Sequence, residues 1–98
     1  MAYKTGARES CVERAGLFAL LADSKRLEVI DMLARANEPL SVGDLAEEIG
    51  MSHSAMSHLL GVLFRAGVVE NVREGRIKQY RLAKGPFVRR IIKLVQIH

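Results

Sequence analysis

Residues 41–67 have the sequence SVGDLAEEIGMSHSAMSHLLGVLFRAG, which predicts two helices joined by a tight turn. Ser41 can cap the first helix, because Asp44 follows three residues later as in a capping box. Gly50 can adopt the left-handed conformation that ends this helix, and Ser52 can cap the next one. The stretch therefore predicts a helix-turn-helix.

The second helix of this motif has one apolar and one polar side. Its apolar residues recur at helical spacing and predict a buried stripe of Met56, Leu60 and Leu63. The opposite side, which is mostly short and polar and has no carboxylate, consists of Ser54, Ser57, His58, Gly61 and Arg65. Small hydrogen-bonding side chains let a helix approach base edges in the DNA major groove. The alternative is a serine-rich N-cap followed by ordinary surface histidines, and this helix alone favours neither interpretation.

Two β-prone runs with a basic turn follow the helix-turn-helix. The first run contains Val68, Val69 and Val72, and the second contains Ile77, Tyr80 and Leu82. Glu74-Gly75 lies between them, where glycine permits the positive φ of a hairpin turn. Arg73, Arg76 and Lys78 surround this turn and would lie along phosphates or reach into the minor groove. A basic hairpin after such a helix predicts the wing of a winged helix, whereas the alternative is a solvated surface hairpin.

The charge of the chain is unevenly distributed. The 98 residues carry a formal net charge of +4, and one domain of this length is expected. Residues 1–64 contain six Lys or Arg against nine Asp or Glu, a net of −3, whereas residues 65–98 contain nine against two, a net of +7. A basic second half favours a polyanionic partner that faces the wing and the C-terminal segment.

The remaining helices are predicted from apolar periodicity. A helix over residues 11–22 and another capped by Asp23 precede the motif, and a last helix begins near Pro86. Residues 1–10 show no apolar period, so we expect a mobile N-terminal arm before a single domain of residues 11–98.

The last helix carries a broad apolar surface made of Phe87, Val88, Ile91, Ile92, Leu94, Val95 and Ile97. The first helix is equally broad, and the pattern favours a homodimer that buries both. The alternative is a last helix that only closes the core of the monomer. A two-fold dimer would present two recognition helices to an inverted-repeat operator with half-sites about one turn apart.

Location and chemistry are constrained by what the sequence contains. No apolar run is long enough to span a bilayer, the N-terminus lacks the apolar core of a signal peptide, and one cysteine cannot form an internal disulfide. We therefore expect a cytoplasmic protein without a membrane partner. Cys11 is a possible redox switch, although a lone helical cysteine is more often a small buried hydrophobe. No motif for nucleophilic catalysis or phosphate cradling is found, so an enzyme is not expected.

Several segments resemble the ArsR/SmtB family of bacterial winged-helix repressors. They are LLADSKRL (20–27), LSVGDL (40–45), SHSAMSHLL (52–60), RAGVVENVREG (65–75) and YRL (80–82). The resemblance implies a mainly α fold with a small β-hairpin, the winged helix-turn-helix, in the order of four helices, two strands and a fifth helix. It also implies a homodimer through the first and last helices, and repression that a signal relieves.

Many members of this family sense metals, but the usual ligand positions differ here. Thiol-based sensors have a C-V-C pair where residues 41–43 are SVG. Zinc-binding members use Asp and His where this chain has Lys84 and Pro86, and a downstream His-containing pair close to Ile97 and His98. One terminal histidine does not provide a tetrahedral site, so we expect no metal and no cofactor.

The sequence therefore predicts a homodimeric repressor that binds double-stranded DNA sequence-specifically, with no effector assigned. The predicted DNA-binding residues are Ser52, His53, Ser54, Ser57, His58, Arg73, Arg76 and Lys78. Among them, Ser54, Ser57 and His58 are expected at base edges and His53 near phosphates. The alternative is a winged-helix protein-interaction module that binds a partner protein through its apolar terminal helix.

Overall fold

Helices and a small sheet alternate along residues 19–95, the part of the chain that the computed structural model describes. The elements are α1 (Ser24–Arg35), β1 (Leu40–Ser41), α2 (Val42–Ile49), α3 (His53–Arg65), β2 (Val69–Glu74), β3 (Ile77–Leu82) and α4 (Pro86–Val95). Residues 19–21 are also helical. The predictions for the N-terminal arm, for most of the first helix, for Cys11 and for His98 lie outside the described residues.

The predicted helix-turn-helix is confirmed, and its caps form as the sequence indicates. The backbone N–H of Asp44 donates to Ser41 Oγ at 3.1 Å, and the N–H of Ser41 donates to Asp44 Oδ2 at 3.4 Å. Gly50 ends α2 with φ +79°, a left-handed conformation that glycine adopts without a steric penalty. Ser52 then caps α3 by accepting from the N–H of Ala55 at 3.1 Å. These local bonds fix the turn that orients α3.

One continuous hydrophobic core joins the helices to the sheet. Its largest fully buried side chains are Ile30, Leu45, Met56, Leu60, Leu63, Ile91, Val29 and Val68. The stripe predicted for α3 is therefore confirmed, and Leu59 widens it. Burial of each such side chain stabilises the fold by about 1.5–3 kcal/mol, which holds α3 firmly by its inner side.

The sheet has three strands in the order β1-β3-β2, all antiparallel. The short strand β1 was not predicted, because two residues are too few to show an alternating pattern. The predicted turn at Glu74-Gly75 is displaced by one residue, because Glu74 pairs with Ile77 and the loop consists of Gly75 and Arg76. Gly75 has φ +64°, so glycine takes the first loop position, as in a type II′ turn.

Helix α4 begins at Pro86, as predicted, and closes the core. Val88 and Ile91 are buried, whereas Phe87 and Leu94 are 45% and 54% exposed. The apolar side of α4 is therefore wider than the surface that the rest of the described chain covers. Over residues 19–95, no helix combines the length and the hydropathy that a membrane span requires.

Candidate nucleic-acid interface

The outward side of α3 is the first component of the candidate interface. At about 100° per residue, Ser54, His58 and Arg65 fall within a sector of about 40°, opposite the buried stripe. All three are exposed. Because α3 contains neither Asp nor Glu, no carboxylate of this helix would repel a polyanion.

The side of α3 next to the sheet carries His53 and Ser57. Together with Lys78 and Tyr80 of β3 they line an open cleft of about 420 Å³, which residues 41–43 and Ile77 complete. The predicted α3 contacts therefore form two groups. Ser54 and His58 point outward, whereas His53 and Ser57 face the cleft.

The hairpin of β2 and β3 has two different faces. Side chains directly opposite each other across an antiparallel pair lie on the same face, and successive residues alternate. Arg73 pairs with Lys78, two residues from the buried Tyr80, so both cations lie on the inner face, which packs toward the helices. On the outer face, Arg81 Nε lies 2.6 Å from Glu70 Oε1. The wing is thus cationic on its inner face and charge-paired on its outer face.

The wing cations differ in how firmly they are held. Lys78 Nζ lies 5.5 Å from the centre of the Tyr80 ring, a cation–π distance. Arg76 is exposed in the turn. Within the described chain, no ion pair involves Arg73, Arg76 or Lys78. Tyr80 was not among the predicted DNA-binding residues, although its two-residue spacing from Lys78 in a β-prone run already indicated a shared face.

Two further details concern residues at the ends of α3. The hydroxyl of Ser52 accepts the capping bond from Ala55, so this predicted DNA-binding residue also fixes the start of the helix. At the other end, Arg65 folds back along the outward side. A Cβ built on Gly61 would lie 3.4 Å from Arg65 Nη1. Arg65 belongs to the polar side that the sequence indicates, but it is not among the predicted DNA-binding residues.

The potential metal ligands are dispersed. Among residues 19–95, His, Cys, Asp and Glu form no group of three that could hold a metal ion. At the start of α2, the Oγ of Ser41 accepts the Asp44 N–H of the capping box, and Val42 and Gly43 have no ligating side chain.

Comparison with known proteins finds relatives that are helix-turn-helix proteins or transcriptional regulators. The family model described as the IclR helix-turn-helix domain matches residues 24–73, which run from α1 to β2. The HTH-type transcriptional regulator NmtR of Mycobacterium tuberculosis is 42% identical over 74 residues, which cover 76% of this chain and 60% of NmtR. A transcriptional repressor SmtB homolog of Synechocystis is 41% identical over 71 residues, which cover 72% of this chain and 52% of the homolog.

A solved structure extends the similarity over almost the whole chain. It is a homodimeric winged helix-turn-helix DNA-binding domain from Mycobacterium bovis, described as a possible ArsR-family transcriptional regulator. It is 33% identical, with a TM-score of 0.77, and the match covers 98% of this chain and 87% of that chain. The IclR model ends within β2, whereas the matches to NmtR, to the SmtB homolog and to the M. bovis domain cover more residues. These longer matches decide between the IclR and the ArsR/SmtB families. The chain spans at most about 60% of the length of the first curated relatives it matches.

Proposed function

Because the chain belongs to the ArsR/SmtB family of winged helix-turn-helix transcriptional regulators, we propose that it is a sequence-specific DNA-binding repressor that acts as a homodimer. One observation carries this proposal. Helix α3, which has no carboxylate, adjoins the cationic inner face of the wing, since His53, Ser57 and Lys78 line the same cleft. The polar side chains of such a helix can contact base edges, while the unpaired cations beside it can contact the flanking phosphates.

The two parts of this surface would have different roles. Ser54 and His58 are short polar residues near the start of α3, so we assign them to hydrogen bonds with base edges in the major groove. Arg73, Arg76 and Lys78 would neutralise phosphates, a contribution that is independent of sequence but strongly dependent on salt. Repression would then follow from occupancy of an operator.

Binding to DNA from upstream of its own gene, measured by fluorescence anisotropy across a salt series, tests this division. Arg76→Gln should weaken binding to every duplex and reduce the salt slope by about one. His58→Ala and Ser54→Ala should instead reduce discrimination at one base position by about 1–3 kcal/mol.

Two matched variants serve as controls. Lys25→Gln removes one positive charge from the exposed side of α1, and Ser24→Ala removes one exposed hydroxyl there. Both should bind as the unmodified protein does. If the α3 variants lose equal affinity for operator and random duplex, they do not read bases.

The dimer would use the apolar side of α4. Phe87 and Leu94 are about half exposed and extend the buried side formed by Val88 and Ile91. A second copy that covers them would remove this apolar area from water. The similar domain from M. bovis is homodimeric, which supports a dimer. Two copies of α3 would then reach successive major-groove faces of an inverted repeat.

Sedimentation of the purified protein tests this interface. Leu94→Glu should shift the protein toward monomer and lower operator affinity, because a buried unpaired carboxylate is costly. Lys93→Glu places the same residue on the adjacent, polar side of α4 and should leave the dimer intact. A monomer that binds operator and random duplex equally weakly would favour the protein-interaction module instead.

A further inference from the structure

We infer that the cleft between α3 and the wing, formed around His53, Ser57 and Lys78, holds one phosphodiester group of the DNA backbone. The inference rests on the proposed function and makes it more specific. It assigns Ser57 to the DNA backbone rather than to a base edge, and it makes Tyr80 a positioning residue for Lys78. On α3, base-specific contacts with DNA are then made only by residues of the outward side.

The residues that line the cleft provide hydrogen-bond donors without a competing carboxylate. Lys78 has an ammonium group, His53 an imidazole and Ser57 a hydroxyl, and no carboxylate lines the cleft. Neither the His53 ring nor Ser57 Oγ forms a hydrogen bond to another residue that the structure describes. Three unused donor groups from two elements therefore converge on one open volume of about 420 Å³. A tetrahedral anion with several acceptor oxygens matches such a set.

The charge arrangement of the hairpin points to the same ligand. Arg73 and Lys78 are directly opposite across the β2–β3 pair, and like charges in that position are unfavourable. Among residues 19–95, no Asp or Glu forms an ion pair with Arg73 or Lys78 that would offset this repulsion. A bound anion would attract both cations and so offset this repulsion. The pair therefore costs stability in the free protein and favours the phosphate-bound state.

Tyr80 fixes where the Lys78 ammonium lies. Tyr80 is only 4% exposed and belongs to the core, and Lys78 Nζ lies 5.5 Å from the centre of its ring. A lysine held against a rigid ring loses less side-chain freedom on binding than a free surface lysine. The contact thus directs the ammonium group to the cleft.

The source of the phosphate follows from the position of the cleft. The cleft is open to solvent, and Ile77, which lines it, is 58% exposed. An apolar side chain beside a cationic pocket suits a deoxyribose next to its phosphate. We therefore assign the pocket to the DNA backbone and not to free phosphate.

A scan of neutral backbone positions tests the inference. Operator duplexes that carry a methylphosphonate at the symmetry-related position of each half-site, which removes one phosphate charge per half-site, are titrated with the unmodified protein, Lys78→Gln and Ser57→Ala. On unmodified operator we expect Lys78→Gln to weaken binding about tenfold, with the salt slope reduced by about one. At one methylphosphonate position per half-site, neither Lys78→Gln nor Ser57→Ala should weaken binding further. Double-mutant cycles of this kind isolate one pairwise contact.

Two Tyr80 variants test the positioning role. Tyr80→Phe keeps the ring, so operator affinity should stay within about twofold, whereas Tyr80→Leu should weaken binding in the same way as Lys78→Gln and show the same methylphosphonate dependence. Thermal unfolding of both variants establishes that they are folded. Equal affinity of folded Tyr80→Leu and Tyr80→Phe for operator would refute the positioning role.

The outcomes separate this inference from the proposed function. If the protein prefers operator over random duplex but no symmetric pair of methylphosphonates removes the cost of both Lys78→Gln and Ser57→Ala, the phosphate pocket is refuted and the repressor proposal stands. Competition by sodium phosphate, beyond that of sodium chloride at equal ionic strength and lost in Lys78→Gln, together with no dependence on any methylphosphonate position, would assign the pocket to free phosphate and overturn the backbone assignment. Absence of operator preference in the unmodified protein would refute the repressor proposal itself.

Discussion

Gly61→Ala should raise the stability of the fold and lower its affinity for DNA, so the substitution tests the two properties separately. Gly61 lies inside α3, its φ is not positive, and no part of the described fold requires glycine there. A new Cβ would meet only the flexible end of Arg65, at 3.4 Å from Nη1 and 4.0 Å from Nη2. Glycine inside a helix costs about 0.5–1 kcal/mol relative to alanine, so the substitution should stabilise the protein by about that amount.

The expected gain is measurable by thermal unfolding. For a domain of this size, 1 kcal/mol corresponds to about 4–8 °C in Tm, so Gly61→Ala should raise Tm by about 2–8 °C. Operator affinity should fall by at least about threefold, because the methyl group stands on the proposed DNA-facing side, in contact with the Arg65 guanidinium, and would hinder its movement toward DNA. Complete removal of a hydrogen bond between this guanidinium and DNA would weaken binding about tenfold or more, which corresponds to about 1.4 kcal/mol.

A double-mutant cycle with Arg65→Ala identifies the cause of the weaker binding. If hindered movement of Arg65 is responsible, Arg65→Ala should weaken binding in the original background and add little in the Gly61→Ala background. A Gly61→Ala protein with higher Tm and unchanged operator affinity would refute close approach of DNA at this point of α3. A lower Tm would refute the helix-propensity argument.

Two further predictions concern residues that support the surface. Ser41→Ala should destabilise the fold by about 0.5–2 kcal/mol in urea unfolding, because it removes the capping bond to Asp44, while Ser24→Ala should have a smaller effect because Ser24 caps no helix. Glu70→Gln should change stability by less than about 1 kcal/mol, since the pair with Arg81 is exposed. It should also strengthen DNA binding by releasing Arg81, and unchanged or weaker binding would show that the outer face of the wing lies away from DNA.

The fold was largely predictable because its signals are local. Each cap of the helix-turn-helix depends on residues three positions apart or fewer, as with Ser41 and Asp44, so the sequence contains the whole interaction. The buried stripe of α3 follows from helical spacing in the same way. By contrast, β1 has only two residues and exists because Leu40 pairs with Tyr80, forty positions away. No local pattern indicates such a pairing.

The candidate site was predictable in composition but not in arrangement. The polar residues of α3 and the cations of the wing were identified from their types and order along the chain. Which of them meet depends on how the hairpin packs against α3, and this packing separates Ser57 from Ser54 although both were predicted at base edges. The pairing of Arg73 with Lys78 likewise depends on the turn, which the sequence placed one residue too early.

The start of α2 links these features, because it belongs both to the helix cap and to the cleft. Residues 41–43 line the cleft opposite Lys78, and Ser41 also pairs with Gln79 of β3 while its side chain caps α2. A movement of this segment would therefore change the helix-turn-helix and the wing together. Loss of the cap in Ser41→Ala should for this reason lower operator affinity more than an equal loss of stability elsewhere, such as one produced by Leu33→Val in the core. Equal affinities for the two variants at matched stability would show that the start of α2 does not couple the two parts of the interface.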